Sequence, residues 1–291
     1  MTTPAFSILP LSGAMLTNLE QLGYAPMTPI QAPSLPTMLA GRDIIPQAAT
    51  GSGKTAAFVL PILQRMAGSR GGRTRALILT PTRELASQIH EHIEAFARHT
   101  PVKAATVFGG VKPGKQEQAL RAGVDIVVAT PGRLLDLMNQ GVVKLNHIEM
   151  LVLDEADHMF DMGFLPDIRR ILAALPPRRQ NLLFAATMPV EIRRLADDLL
   201  TDPHVIELAD SAPAATIDHA LYLVAERRKH ALLEHVLTQD DCDSAIVFTR
   251  TKHRARRLAQ QLSKGGHRAV GLQGNMSQAQ RDRAMRGFRS R

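Results

Sequence analysis

The sequence predicts an α/β fold built on a parallel sheet with helices on both faces. Three observations carry that expectation. Short, nearly continuous apolar runs alternate with amphipathic stretches along most of the 291 residues, the pattern of strands buried on both faces and joined by crossover helices. A Gly-rich loop at 48–55 follows one such run and opens a helical stretch. Another run ends in two adjacent carboxylates, Asp154 and Glu155, where ligands of open α/β sheets bind.

In chain order, the run at 43–46 leads into the loop and 55–66 reads as the helix behind it. Runs at 76–80, 104–108, 125–130, 150–154, 181–185 and 205–208 are rich in β-branched and apolar residues and read as strands. Leu85, Ile89, Ile93 and Phe96 fall on one helical face at i, i+4, i+8 and i+11. Segment 209–216 (ADSAPAAT) is small, polar and broken by Pro213, which makes it a linker candidate. The pattern then restarts. Segments 220–224, 245–249 and 269–272 read as strands, 230–237 as a helix, and Ala255, Leu258, Ala259 and Leu262 as the stripe of another helix. The expected organisation is a domain at 1–208, a linker at 209–216 and a shorter, incomplete α/β unit at 217–291.

Composition excludes several classes. Hydrophobic residues at 45% and charged residues at 21% are ordinary for a globular chain and exclude disorder. No stretch reaches the ~18 apolar residues of a membrane span, and the first ten residues lack a signal peptide's pattern. The single cysteine, Cys242, leaves no disulfide partner and no Cys-based zinc site. It reads as a small buried residue and fits a reducing, cytoplasmic setting. The 35 Lys and Arg against 27 Asp and Glu give a formal charge of +8, which suits an anionic partner. The excess is local: 250–291 holds twelve of the bases and one acid, Asp282, leaving 23 bases and 26 acids elsewhere.

The loop Ala48-Ala49-Thr50-Gly51-Ser52-Gly53-Lys54-Thr55 fits the phosphate-binding pattern, with Ala in the first glycine place. Gly51 and Gly53 let backbone N–H groups turn inward onto phosphates, and the helix start adds partial positive charge. Lys54 supplies a full charge, and the Thr55 hydroxyl can ligate Mg²⁺. Asp154, at the end of an apolar strand, suits the same ion, partly through water. Glu155 suits orienting and deprotonating an attacking water. The expected ligands are therefore a nucleoside polyphosphate and Mg²⁺.

With Asp154-Glu155-Ala156-Asp157 the chain resembles the DEAD-box RNA helicases, and further motifs stand around it in the family's order. Gly23-Tyr24 through Thr28-Pro29-Ile30-Gln31 resembles the Q motif, with Phe6 at the upstream aromatic place. Thr50 to Thr55 resembles motif I, and Pro81-Thr82-Arg83-Glu84-Leu85 motif Ia. Gly109-Gly110 and Thr130-Pro131-Gly132-Arg133 match the next two, and Ala185-Ala186-Thr187 stands at motif III. Val247-Phe248-Thr249 resembles motif IV, and Gln278 with Arg281 the Q-x-x-R element. Asp161-Met162-Gly163-Phe164 and Glu226-Arg227-Arg228-Lys229 look most like the bacterial RhlE-type subgroup.

The resemblance implies a RecA-like P-loop lobe followed by part of a second. It implies that Gln31 reads the adenine edge while Phe6 and Tyr24 line that pocket. Asp157 would link the ATP site to motif III through Thr187. Thr82, Arg83, Gly110, Thr130, Arg133, Thr249, Gln278 and Arg281 would hold single-stranded or duplex RNA by its backbone. No Trp and only two Tyr leave few stacking platforms, which favours backbone grip over base readout.

Some positions depart from the family pattern. Ala49 replaces a usual Gln, Met27 a Pro, and Gln273-Gly274-Asn275 a common His-Gly-Asp. Ala185 replaces the Ser of motif III, and losing that hydroxyl is expected to weaken the coupling of hydrolysis to strand separation. The Ala-Thr-Asp and His-Arg-Ile-Gly-Arg elements are absent. The second carries the family's arginine finger, a device worth ~10³–10⁵ in rate in GTPases. The expectation is a chain shortened within its second lobe that binds ATP and Mg²⁺, hydrolyses slowly and does not unwind by itself. The alternative expectation is a non-catalytic, ATP-dependent RNA-binding fragment. His90 and His92, two apart on a helix, face different ways and form no metal pair.

Overall fold

The computed structural model describes residues 4–48, 51–68, 71–208, 217–239 and 242–290. The linker candidate at 209–216 therefore lies outside the described residues, as does Thr50. The chain divides into two compact units, Met1–Ser211 and Ala212–Arg291.

The first unit is built on seven parallel strands: β1 (Ile44–Gln47), β2 (Ala76–Leu79), β3 (Ala104–Val107), β4 (Ile126–Ala129), β5 (Met150–Leu153), β6 (Gln180–Leu183) and β7 (His204–Glu207). Their order across the sheet is β3-β4-β2-β5-β6-β1-β7. Among the described residues nine α-helices accompany them: α1 (Gly13–Gln21), α2 (Gln31–Leu39), α3 (Lys54–Met66), α4 (Arg83–Phe96), α5 (Gly114–Ala122), α6 (Pro131–Asn139), α7 (Ala156–Asp161), α8 (Leu165–Ala173) and α9 (Val190–Leu199).

Alternation along the strands splits the core between the two faces. Ile44, Ile78, Val128 and Val152 join α3 and α4 in one apolar cluster. Their neighbours Ile45, Leu77, Val127 and Leu151 join α6, α8 and α9 in the other. Successive side chains of a strand point to opposite faces, so a run apolar at every position needs cover on both. The α/β expectation from continuous apolar runs thus corresponds to a sheet buried on both sides.

The second unit carries α10 (Lys229–Leu237), α11 (Lys252–Lys264) and α12 (Gln278–Arg289). The Thr251 side chain caps α11, and Ser277 with Gln280 forms a capping box on α12. The expected strands at 220–224, 245–249 and 269–272 are not formed. Leu221, Leu223 and Phe248 are 87%, 94% and 92% exposed. A strand exists only through a hydrogen-bonded ladder, and among the described residues these runs pair with no neighbour. Cys242, expected to be buried, is only partly so.

Candidate nucleotide and RNA site

The nucleotide motifs meet at the carboxyl ends of β1, β6 and β5. Gly51 and Gly53 have φ of 86° and 93°, a left-handed region that costs L-residues ~1–2 kcal/mol and glycine almost nothing. This bend sets Lys54 at the first turn of the 13-residue α3. Lys54 is buried, and its Nζ donates to the Ala48 carbonyl at 3.0 Å. Thr55 follows, half-buried. The Ser52 Oγ is shielded from solvent with no hydrogen-bond partner.

Gln31 ties the Q motif to this loop. Its Nε2 donates to the Gly53 carbonyl at 3.0 Å, and its Oε1 accepts from the Thr28 N–H at 2.8 Å. A Cβ on Gly53 would stand 2.7 Å from that Nε2. The structure thus gives Gln31 a role in fixing the loop that the adenine reading did not contain. Tyr24 meets Phe96 edge-on at 5.2 Å between ring centres and Phe6 at 6.3 Å. Phe6 is 3% exposed and packs into the core rather than presenting a free ring face. The expected pocket-lining pair, Phe6 and Tyr24, thus stand together, with the Phe6 ring edge-on to Tyr24.

Asp154 follows β5 and is 3% exposed. Its Oδ1 is buried without a hydrogen-bond partner. Burial pushes its pKa up to about 7, Lys54 pulls it down, and the Glu155 and Asp157 charges raise it further. Desolvation is the leading cause because the ionised form loses its water shell. Glu155 adopts φ 53°, ψ 52°, a left-handed conformation for a non-glycine residue. The His158 Nδ1 lies 3.4 Å from its Oε2. The Asp157 Oδ2 accepts from the backbone N–H groups of Ala186 at 3.2 Å and Thr187 at 2.8 Å, and from the Thr187 hydroxyl at 2.9 Å. Ala185 is fully buried, and its carbonyl accepts from the Ala48 N–H at 3.2 Å.

The Mg²⁺ and nucleotide expectations fit this chemistry. A buried carboxylate oxygen without a donor, next to a lysine charge and a helix start, can take a cation or one of its bound waters. Among the described residues no cluster of three or more His, Cys, Asp or Glu could cage a metal. Such a site must borrow ligands from phosphates and water, as Mg²⁺ sites do.

The candidate RNA residues of the first unit lie on the other half of the same edge, after β2, β3 and β4. Thr82 caps α4, its hydroxyl accepting from the Leu85 N–H at 3.2 Å. Gly110 has φ 79°, and a Cβ there would overlap the Arg83 guanidinium, so the glycine makes room for that side chain. Thr130 precedes Pro131 at the start of α6. In the first turn of α6, the Arg133 Nη1 is buried without a partner, while its Nε stands 3.8 Å from Asp136.

Thr249, Gln278 and Arg281 belong to the second unit. The Thr249 hydroxyl donates to the Thr251 carbonyl, the Gln278 Nε2 to Asp282 and the Arg281 Nη1 to the Gln273 carbonyl. Sequence reasoning missed Thr28 and the Ala48 carbonyl as loop anchors. The Ala48 contact is made by the main chain, so the side-chain pattern holds no signal for it.

Comparison with known proteins agrees with this geometry. The family model for DEAD/DEAH box helicases matches residues 28–195, and that for the helicase conserved C-terminal domain matches 228–291. The RNA helicase CrhR of Synechocystis is 41% identical over 289 residues, 99% of this chain and 58% of that protein. The DEAD-box ATP-dependent RNA helicase CshA of Streptococcus pneumoniae is 42% identical over 286 residues, 98% of this chain and 54% of that protein. The chain thus spans about half the length of the curated relatives it matches. The crystal structure of a DEAD box protein from Methanococcus jannaschii matches with a TM-score of 0.68 and 36% identity, covering all of this chain and 78% of that one. On the motifs, the sheet and these matches, the chain belongs to the DEAD/DEAH box helicase family.

Proposed function

We propose that the protein is an ATP-dependent RNA helicase that couples ATP binding and hydrolysis to RNA binding and local strand separation, in a reducing, cytoplasmic setting. The observation that carries this reading is the buried, unpartnered Asp154 oxygen beside the Lys54 loop. A Mg²⁺ ion held there would supply charge neutralisation to the phosphates. Thr50, Gly51, Ser52 and Gly53 cradle phosphates through backbone N–H groups, and Lys54 adds a fixed charge. Thr55 and Asp154 hold the ion, Asp154 partly through water. Glu155 orients the attacking water and takes its proton.

Gln31 keeps one amide hydrogen and one oxygen lone pair beyond its two internal bonds, enough to meet an adenine edge, with Tyr24 nearby. Asp157, through Thr187 and the chain at Ala185, transmits the state of the nucleotide to the next strand end. Thr82, Arg83, Gly110, Thr130 and Arg133 grip RNA backbone on one unit, and Thr249, Gln278 and Arg281 on the other. Loop and helix-start donors of this kind position phosphates without reading bases.

The 291 residues hold no His-Arg-Ile-Gly-Arg element, so the proposal includes slow hydrolysis and no unwinding by this chain alone. The same observation favours a second reading, an ATP-dependent RNA-binding fragment without turnover. Phosphate release with and without RNA decides between them. RNA-stimulated release that vanishes in Lys54→Ala supports the enzyme. Nucleotide binding without any release supports the fragment.

A further inference from the structure

The amino-terminal edge of the sheet, at the other end of β1 from the nucleotide loop, carries a polar pocket of about 320 Å³. The loops before β1, β6 and β7 enclose it with Gly41, Arg42, Asp43, Arg179, Thr201 and Asp202. Arg179 is the informative side chain. Its Nε is hidden from solvent and has no hydrogen-bond acceptor. Its Nη1 donates to the Pro176 carbonyl at 2.5 Å. Among the described residues its guanidinium makes no ion pair with a carboxylate. Burial pulls its pKa down, and the charge of Asp43 only partly offsets that. The guanidinium is only partly buried, but its hidden Nε is a donor left unmet, and a buried polar group without a partner is costly.

The two acids of the pocket leave that donor unmet: Asp43 lends its charge without a hydrogen bond to the Nε. Asp43 accepts from the Asn181 N–H at 2.8 Å, the Asn181 Nδ2 at 3.3 Å and the Thr201 N–H at 3.0 Å, and so serves to pin the loops. Asp202 stands 3.4 Å from Arg42, with side chains 93% and 52% exposed, a pair that solvent screens to little net worth. A third guanidinium reaches the same loop: the Arg65 Nη2 lies 3.3 Å from where a Gly41 Cβ would stand.

We propose that this pocket binds a phosphate group, held by the Arg179 and Arg42 guanidiniums with Arg65 and Thr201 at its rim. The planar fork of a guanidinium matches two phosphate oxygens at once, which a lysine does not. The buried Nε supplies a pre-placed donor, and displacing Asp202 frees Arg42. The phosphate can come from solution or from the end of an RNA strand. The site does not depend on the helicase reading, since it uses none of the nucleotide or RNA residues.

The Nε–Hε cross-peak of Arg179 in a ¹⁵N spectrum of the 291-residue chain reports on the pocket directly. Titration with inorganic phosphate at fixed ionic strength, balanced by chloride, is expected to shift it saturably. Arg42→Gln should weaken that binding about tenfold, the worth of one charge-assisted hydrogen bond, without moving the unfolding midpoint. Arg179→Gln should abolish saturable phosphate binding at the neighbouring Thr201 amide. Tighter binding of a 5′-phosphorylated RNA oligomer than of its 5′-hydroxyl twin would identify an RNA end as the source. Equal binding of the two oligomers, with a saturable response to inorganic phosphate, would identify free phosphate. No saturable shift with either probe, or an affinity unchanged in Arg42→Gln, overturns the proposal.

Discussion

Replacing Asp154 with Asn tests the electrostatics of the nucleotide edge. The Asp154 carboxyl is pushed from its ordinary 3.8 to about 7, chiefly by burial. A carboxyl whose native pKa lies above its unfolded value takes up a proton on folding between the two. Its contribution is therefore fully present below pH 3.8 and is lost as pH rises toward and through 7. Each pKa unit is worth about 1.36 kcal/mol. Between pH 5 and pH 8 the wild type should lose about 2.5 kcal/mol of stability relative to Asp154→Asn, which has nothing to ionise. The assay is urea unfolding in EDTA, followed through hydrogen exchange of the β5 amides so that only the unit holding Asp154 is read. Other titrating groups are common to both proteins and cancel in the difference. Parallel pH profiles for the two proteins would refute the reasoning. So would a steeper loss in the variant.

Three further outcomes follow from the same edge and its surroundings. Gly53→Ala places a Cβ 2.7 Å from the Gln31 Nε2 on a backbone at φ 93°. It should lower ATP affinity at least about tenfold, since the left-handed cost alone is ~1–2 kcal/mol; unchanged affinity in a fluorescent-ATP titration would show that the loop shape is not limiting. Thr187→Val removes one of three donors to Asp157. It should lower RNA-stimulated phosphate release several-fold with ATP affinity unchanged, and a parallel loss of ATP binding would count against a linking role. Glu149→Gln breaks a two-pronged contact to Arg75 at 2.8 and 2.9 Å. The Arg75 hydrogen bond holds the Glu149 carboxyl below its usual range, so its contribution is present above that range and lost as pH falls through the lowered value. With both partners solvent-accessible the effect should stay under about 1 kcal/mol. It should shrink between thermal melts at pH 7 and pH 3.5; an equal effect at both would remove the charge from the explanation.

What the sequence made legible was the part that periodicity and fixed spacing encode. Continuous apolar runs such as Met150 to Leu153 located the strands because a strand covered on both faces has no polar position to spare. The Gly51–Gly53 spacing located the loop because only glycine takes those angles cheaply. The failures have equally specific causes. Leu221, Leu223 and Phe248 have strand-like neighbours in sequence, but a ladder needs partners in space, which local pattern does not report. The pocket around Arg179 was invisible because its lining comes from loops about 20 to 160 residues apart.

The strand order lets the two proposed binding functions share one edge without sharing residues. β5 pairs with β2 on one side and with β6 on the other. The proposed RNA residues of this unit follow β2, β3 and β4, and the proposed phosphate and Mg²⁺ residues follow β1 and β5. The carboxyl end of β5 therefore stands between the two halves, and it is where Asp154, Glu155 and Asp157 are placed. Asp157 reaches across to the Ala186 and Thr187 amides beyond β6, whose chain bonds at Ala185 to Ala48 beside the phosphate loop. Two of the three donors to Asp157 are main-chain N–H groups and the third is the Thr187 hydroxyl, so the link survives without a serine at 185. Any weakening of coupling by the missing serine hydroxyl would then act outside the Asp157 connection itself. Thr187→Val, read against Ala185→Ser, separates those two causes. If the first lowers RNA stimulation and the second raises it, the hydroxyls tune a link that the backbone makes.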